Sequence, residues 1–313
     1  MKKFLRNFLK ILIALFILLN VVVAFQAYKF THFYDAGDVT FKPTNQKNFW
    51  DHTKEALFGI NAIKIKDTAS VNYGFDTIYL TTKGGLKLEG WYKSVAYSKG
   101  TIALFHGHGG NKSDILPEAF EFVKMGYNIF LLDFRAHGNS EGHTCTIGFN
   151  EAEDVKLTYD YIRDKGEKNL VLWGVSLGAA TITKAISEYN IQPQKIILEL
   201  PFASIEQAVK GRLRMMHVPT EPVSELLTFW GGAENGFWAF DHKPSIYVKK
   251  ITCPVLLQFA KNDVRVSAKE REDIYNHITS PKQLVLYENS AHESLCKKEN
   301  AKWAATVSGF LNQ

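Results

Sequence analysis

Three cysteines in 313 residues are too few, and too odd a number, for a disulfide framework. Cys145, Cys253 and Cys296 are also spaced too widely for a zinc site, so they read as buried or incidental thiols. Surplus charge is equally scarce. The formal net charge is +5, but Lys2, Lys3, Arg6 and Lys10 account for four of these charges, which leaves one for residues 11 to 313. A nucleic-acid partner requires a basic face on the folded domain, and the sequence provides none. No internal repeat is present. What the chain does have is apolar substance: 46% hydrophobic and 13% aromatic residues are ample for a packed core, so the chain is not disordered.

The long apolar run is confined to the N-terminus. Ile11 to Ala27 is almost wholly apolar, and Phe8 and Leu9 extend it to about the 20 residues that a bilayer-spanning helix needs. A cleaved signal peptide is the alternative, with Val22-Val23-Ala24 as a small-residue cleavage site. The run exceeds the roughly 7 to 15 residues of a signal h-region, which favours an uncleaved anchor. Positive charge precedes the run, while Lys29, Asp35 and Asp38 follow it. The positive-inside rule therefore predicts a cytoplasmic N-terminus and an extracytoplasmic domain.

Three regions are expected: residues 1–28 as basic end and anchor, 29–71 as a connector, and 72–313 as the main domain. Within the connector, Asn48 to Phe58 suits a short helix whose Phe49, Trp50, Leu57 and Phe58 pack on the domain or on the membrane surface, the packed connector being favoured. From Phe75 onward, short β-rich runs alternate with amphipathic stretches, the pattern of βαβ units and a mainly parallel sheet. Eight strands are predicted: Phe75 to Leu80, Leu86 to Tyr92, Thr101 to Phe105, Ile129 to Leu132, Leu170 to Trp173, Lys195 to Leu198, Val255 to Phe259 and Gln283 to Leu286. The first two are joined by the hairpin-like Thr81 to Gly85. Several of the others are continuously apolar, as strands covered on both faces are.

Three helical stripes accompany them. Leu116, Phe120 and Val123 form one, with Ser113 as N-cap and Gly126 as stop; Ala152, Val155, Tyr159 and Ile162 form the second; Trp303, Val307 and Phe310 form the third. The predicted architecture is a three-layer α/β/α sandwich. Residues 201 to 250 are too long for an ordinary connection and carry Met215, Met216, Phe229, Trp230, Phe237, Trp238 and Phe240. They are expected to form a helix and a cap that shapes a substrate pocket.

The sharpest local pattern is Gly174-Val175-Ser176-Leu177-Gly178, set between the predicted strand Leu170 to Trp173 and a helix-compatible Ala179 to Ile182. Glycines flank the serine because a strand reversing into a helix in one tight turn has no room for side chains beside the projecting hydroxyl. A serine hydroxyl needs a base to take its proton, and the base needs an acid to fix its tautomer. Asp263 follows the strand Val255 to Phe259, and His292 follows Gln283 to Leu286. In a parallel sheet these strand ends share one edge, so Ser176, Asp263 and His292 are predicted to converge.

Glu199, at the end of Lys195 to Leu198, is the rival acid, and Asp263 has an alternative role as a cap for the helix near Ala268. His106, His137, His143 and His277 are rival bases, but none follows the last strand. His106-Gly107-His108-Gly109-Gly110 follows Thr101 to Phe105, and the backbone amides of Leu177 and His108 are the expected oxyanion donors. His106 and His108 supply two potential metal ligands with no evident third, so no metal and no cofactor is expected.

These motifs resemble the α/β-hydrolase superfamily over about residues 72 to 313, and within it the bacterial membrane-anchored serine hydrolases of the serine aminopeptidase-like and acyl-ester hydrolase branch. Leu132-Asp133-Phe134-Arg135-Ala136-His137-Gly138-Asn139-Ser140-Glu141-Gly142 is similar to that family's loop after its fourth strand, which implies structural roles for Asp133 and Arg135. Ile251 to Leu257 is similar to the entry to the acid-bearing strand, although Phe259-Ala260 departs from the commoner residues before the acid. The resemblance implies an α/β-hydrolase fold with an eight-stranded, mainly parallel sheet and a small cap.

The function expected is hydrolysis of an ester or thioester of a small or apolar acyl substrate through an acyl-enzyme. A peptidase or acyltransferase using the same triad is the alternative, and a non-catalytic membrane-displayed binding module is the reading of a different class. The expected partners are a small-molecule acyl substrate and the membrane.

Overall fold

Each of the eight β-rich segments forms a strand of one sheet in the computed structural model, which describes residues 1–39, 42, 46–67 and 73–313. The boundary expected between residues 71 and 72 lies outside the described residues. The strands are β3 (Asp76–Thr81), β4 (Lys87–Lys93), β5 (Thr101–Phe105), β6 (Asn128–Leu132), β7 (Leu170–Val175), β8 (Lys195–Glu199), β9 (Val255–Ala260) and β10 (Lys282–Tyr287). Their spatial order is β10-β9-β8-β7-β5-β6-β4-β3, and every pairing is parallel except those of β4 with β3 and β6. The continuously apolar runs, β5 to β9, occupy the middle and are buried on both faces, whereas β3 and β10 lie at the edges and are largely accessible.

Alternation along the strands divides the core in two. On β7, Leu170 and Leu172 enter the layer shared with α4 (Ala152–Asp164) and α5 (Leu177–Tyr189), while Val171 and Trp173 enter the layer under α3 (Leu116–Lys124) and α11 (Asn300–Leu311). Trp303, Val307 and Phe310 are buried as their spacing predicts. The α3 stripe is rotated. Leu116, Ala119 and Phe122 are the apolar residues it buries, and Phe120 and Val123 are only half-buried. The helix is also capped differently: Asn111 accepts from the Ser113 amide and caps a 3-10 turn over Lys112–Ile115, while the Ser113 hydroxyl donates to Asp67. The turn begins with Lys112, whose ammonium points inward to Asp67 (2.7 Å), Glu89 (3.0 Å) and Asp133.

The N-terminal run forms α1 (Lys2–Thr31), a helix long and apolar enough to cross a membrane. Lys2 to Leu18 are exposed, and Val23, Ala27 and Thr31 are buried against the domain. The chain then crosses onto the loop after β6: Cys145 N–H donates to the Thr31 carbonyl (2.8 Å) and Phe33 N–H to that of His143 (2.7 Å). Two-residue strands β1 (Phe33–Tyr34) and β2 (Ala62–Ile63) pair in parallel, and Lys64 Nζ donates to the Ser140 carbonyl at 2.5 Å. The short helix α2 (Phe49–Phe58) is present, yet none of its residues is buried, contrary to the packed connector expected. Phe58 meets Phe25 of α1 edge-on, and Gln26 donates to the carbonyls of Glu55 and Ala56.

Residues 201 to 250 form α6 (Ile205–Met215), α7 (Val223–Glu234), α8 (Pro244–Tyr247) and two 3-10 turns. α7 packs along α1, with Trp230 Nε1 donating to Asn20 Oδ1 at 3.1 Å.

Candidate active site

β7 passes into α5 through a single residue, Ser176, at φ +52° and ψ −109°, a backbone conformation that costs strain for any residue with a Cβ. The flanking glycines are forced by contact. A Cβ on Gly174 would stand 2.6 Å from the Gly178 carbonyl carbon, and one on Gly178 would stand 2.2 Å from the Phe105 carbonyl oxygen. Strand, helix and neighbouring strand therefore close to backbone contact, and the serine side chain is pushed out above the ends of β5 and β7. The Ser176 amide donates to the Glu199 carbonyl at 2.8 Å, which ties the turn to β8.

The C-terminal ends of β9 and β10 bring Asp263 and His292 to the same edge. His292 Nε2 lies 3.1 Å from Ser176 Oγ, and His292 Nδ1 lies 2.8 Å from Asp263 Oδ2. Asp263 Oδ1 accepts from the amides of Arg265 (2.7 Å) and Val266 (3.1 Å), so both carboxylate oxygens are engaged. A carboxylate at Nδ1 holds the imidazole proton there and leaves the Nε2 lone pair facing the hydroxyl. Burial alone would raise the Asp263 pKa. The His292 contact and the two amides outweigh it and hold the carboxyl below its ordinary value. Asp263 is therefore an acceptor bound to the turn before α9 (Ala268–His277), whose own N-cap is Ser267.

Glu199 does not join this group. It is fully buried beneath the sheet, and its Oε1 accepts from Trp173 Nε1 (2.9 Å), Gln258 Nε2 (2.8 Å) and Trp303 Nε1 (2.6 Å). Burial pushes its pKa up to about 8. The rival histidines are engaged elsewhere. His106 lies against the Gly107 carbonyl (2.7 Å) and accepts from Phe134 N–H (3.1 Å); His137 lies against the Arg135 carbonyl (2.9 Å) and accepts from Gly109 N–H (3.1 Å). Burial lowers their pKa values to about 4 and about 3, so both are neutral structural ties of the loop. His143 faces the Phe33 carbonyl, and His277 faces Asp273 on its own helix. Among the described residues no group of His, Cys, Asp and Glu is arranged to hold a metal.

In the loop after β5, the Gly109 amide goes to His137 and that of Gly110 to the Gly107 carbonyl. The amides of His108 and Leu177 have no protein acceptor among the described residues. The loop is held from below by Asp133, which accepts from the amides of Lys112 and Asn139 (both 2.8 Å) and pairs with the Lys112 ammonium. Arg135 is fastened to Asp154 and Glu153.

Ser176 and His292 open into a cavity of about 290 Å³, whose apolar wall includes Ile115, Ile147, Phe202 and Val266. Three contributors were not legible in the sequence. Phe30, in the last turn of α1, lines the cavity and stacks on His108 with ring centroids 4.7 Å apart. Arg212 of α6, beside the Phe30 ring, and Arg265 line the cavity as well. The insertion contributes Phe202, Ala208 and Arg212 to the cavity, but its later aromatics lie elsewhere: Trp230 faces α1, Phe229 and Trp238 are exposed, and Phe237 stacks on Phe149. A larger hollow of about 610 Å³ lies between α1 and α7 and touches none of the three triad candidates.

Residues 96–231 match the family model for serine aminopeptidase, S33. An esterase of Pyrococcus furiosus superposes with a TM-score of 0.67 at 21% identity, covering 81% of this chain and 97% of that one. The chain folds as an α/β-hydrolase. An esterase of Exiguobacterium antarcticum shares this α/β-hydrolase fold with a TM-score of 0.59 at 16% identity, over 76% of this chain and all of the other. By sequence, this chain is 27% identical to the uncharacterised protein YqkD of Bacillus subtilis, over 73% of this chain and 76% of YqkD. It is 28% identical to the lysophosphatidylserine lipase ABHD12 of Danio rerio over 62% of this chain, and the match spans about half (51%) of that lipase. The similarity is thus to hydrolases of esterase and lipase type.

Proposed function

We propose that the protein is a membrane-tethered serine esterase that cleaves an ester or thioester of a small or apolar acyl group. One observation carries the reading: Ser176, His292 and Asp263 form a continuous hydrogen-bonded chain that opens into an apolar-walled cavity. His292 takes the Ser176 proton as Oγ attacks the acyl carbonyl, and the amides of Leu177 and His108 receive the developing oxyanion. The alcohol or thiol leaves with the proton from His292. Water then attacks the acyl-enzyme with the same base, releasing the acid and restoring the serine. Asp263 keeps the imidazole in one tautomer and stabilises its charged form.

The exposed apolar part of α1 supports a membrane anchor, and the positive charge of Lys2, Lys3, Arg6 and Lys10 supports a cytoplasmic start with the catalytic domain outside. The test is turnover of activated acyl esters by the full-length protein in non-ionic detergent. Wild type is expected to release the alcohol with burst kinetics, and Ser176→Ala is expected to be inactive. Equal turnover by Ser176→Ala would refute the reading.

A further inference from the structure

The mouth of the catalytic cavity carries two guanidinium groups without carboxylate partners. Arg212, on α6, lies with its Cζ 5.6 Å from the centre of the Phe30 ring and makes no hydrogen bond or ion pair with any described residue. Arg265, two residues after Asp263, directs Nε and Nη2 at Met215 Sδ (3.3 and 3.2 Å) and has no other side-chain acceptor among the described residues. A guanidinium carries five N–H donors in a planar fork, and a thioether is a weak acceptor. Elsewhere the fold pairs its arginines where carboxylates are near: Arg135 takes Asp154 and Glu153, and Arg214, on the same helix as Arg212, takes Glu270.

The two charges are close enough to repel. Burial and the neighbouring Arg265 together lower the Arg212 pKa below its ordinary value. Carboxylates do line the same cavity, but at Asp114, Glu118 and Glu293, and none pairs with Arg212 or Arg265. Asp114 caps the Asn111 turn, and Glu118 accepts from the Ser294 hydroxyl at 2.5 Å. The cavity lining therefore holds Arg212 and Arg265, two guanidinium groups without a carboxylate partner among the described residues, together with Ser176 and His292. Unpaired guanidinium groups attract an anion, here within one cavity of the nucleophile.

We infer that Arg212 and Arg265 form an anion-recognition subsite, so that the ester cleaved at Ser176 carries a phosphate or a carboxylate close to its scissile carbonyl. This rests on the serine-esterase reading above. It adds a requirement on the substrate that the triad itself does not impose. A bidentate arginine contact discriminates between a charged group and its neutral analogue by about tenfold or more.

The experiment measures kcat/KM of the full-length protein in non-ionic micelles on three esters with the same short acyl chain: acylglycerol, acylglycerol phosphate and the acyl ester of glyceric acid. The quantity read is the ratio of each anionic ester to the neutral one. In wild type at least one ratio is expected to be about ten, and to fall as salt rises. Arg212→Gln and Arg265→Gln are each expected to lower that ratio severalfold, chiefly through KM, with Arg212→Lys restoring part of it. The phosphate and glycerate arms show which anion is preferred.

Wild-type ratios at or below one, or ratios that change by twofold or less in both variants, overturn the subsite. Where a variant does not fold, the salt dependence of the wild-type ratio decides alone, and a flat ratio overturns the proposal. Serine-dependent cleavage of the neutral ester alongside flat ratios removes the subsite and leaves the esterase reading standing. No cleavage of any of the three while activated acyl esters are still turned over overturns the subsite alone, and no cleavage of either kind of ester removes both.

Discussion

Phe30, the penultimate residue of the membrane-directed helix, stacks on His108, the residue whose amide is proposed to receive the oxyanion, with ring centroids 4.7 Å apart. The long apolar helix thus ends in the wall of the candidate active-site cavity. Burial and the adjacent His137 lower the His108 pKa to about 3, so the stacked imidazole is neutral and acts as an apolar wall. Phe30→Ala removes that wall and is expected to raise KM for acyl esters by about tenfold, with a smaller fall in kcat. Steady-state kinetics on a soluble short-chain ester checks this. An unchanged KM would mean that the helix end takes no part in binding.

Asp263 holds His292 through one oxygen and its own loop through the other. Asp263→Asn keeps the size but presents an amide to Nδ1, which favours the wrong tautomer. A loss of roughly 10³- to 10⁴-fold in kcat is expected, with the fold intact by circular dichroism. Activity within tenfold of wild type would remove Asp263 from its proposed role.

Lys112 is enclosed by Asp67, Glu89 and Asp133 and lies 4.4 Å from the centre of the Trp91 ring. Burial alone would lower its pKa, but Asp133 and Asp67 raise it above its ordinary value. Lys112→Met leaves two buried carboxylates uncompensated and should destabilise the protein by about 3 to 5 kcal/mol. A thermal unfolding midpoint close to that of wild type would contradict this ion cluster.

Glu199 gives a pH dependence of opposite sign to that of an ordinary paired carboxylate. Its folded pKa of about 8 lies above the usual carboxylate value, so between those two values the folded chain keeps a proton that the unfolded chain has released. Stability therefore falls as pH rises through that window, by at most about 1.4 kcal/mol per pH unit. Glu199→Gln, which keeps an acceptor for Trp173 and Trp303, is expected to flatten the fall in unfolding midpoint between about pH 5 and pH 8. Parallel slopes for wild type and variant would contradict a protonated Glu199.

The sheet was legible because burial on both faces leaves a mark that sequence carries: runs such as Ile102–Phe105 and Leu170–Trp173 are apolar throughout and belong to the adjacent inner strands β5 and β7. The triad candidates were legible because the serine turn requires glycines and the other two residues follow strands that share an edge. The turn before α3 was not legible, since its Lys112 reaches carboxylates at positions 67, 89 and 133. Phe30 was hidden because a residue that lines a cavity looks the same in an apolar helix as one that faces lipid. Arg212 and Arg265 were hidden because an arginine without a partner leaves no pattern in the sequence. The aromatics of residues 201 to 250 pointed to a pocket, yet much of their surface meets α1 or solvent, an arrangement set by a helix some 200 residues away.

The most direct test of the central claim is the site of covalent modification. Full-length protein is treated with a fluorophosphonate, digested, and mapped by mass spectrometry. The account predicts a single adduct on the peptide bearing Ser176, formed far more slowly in His292→Ala. An adduct on another residue, or no adduct with folded wild-type protein, would contradict it.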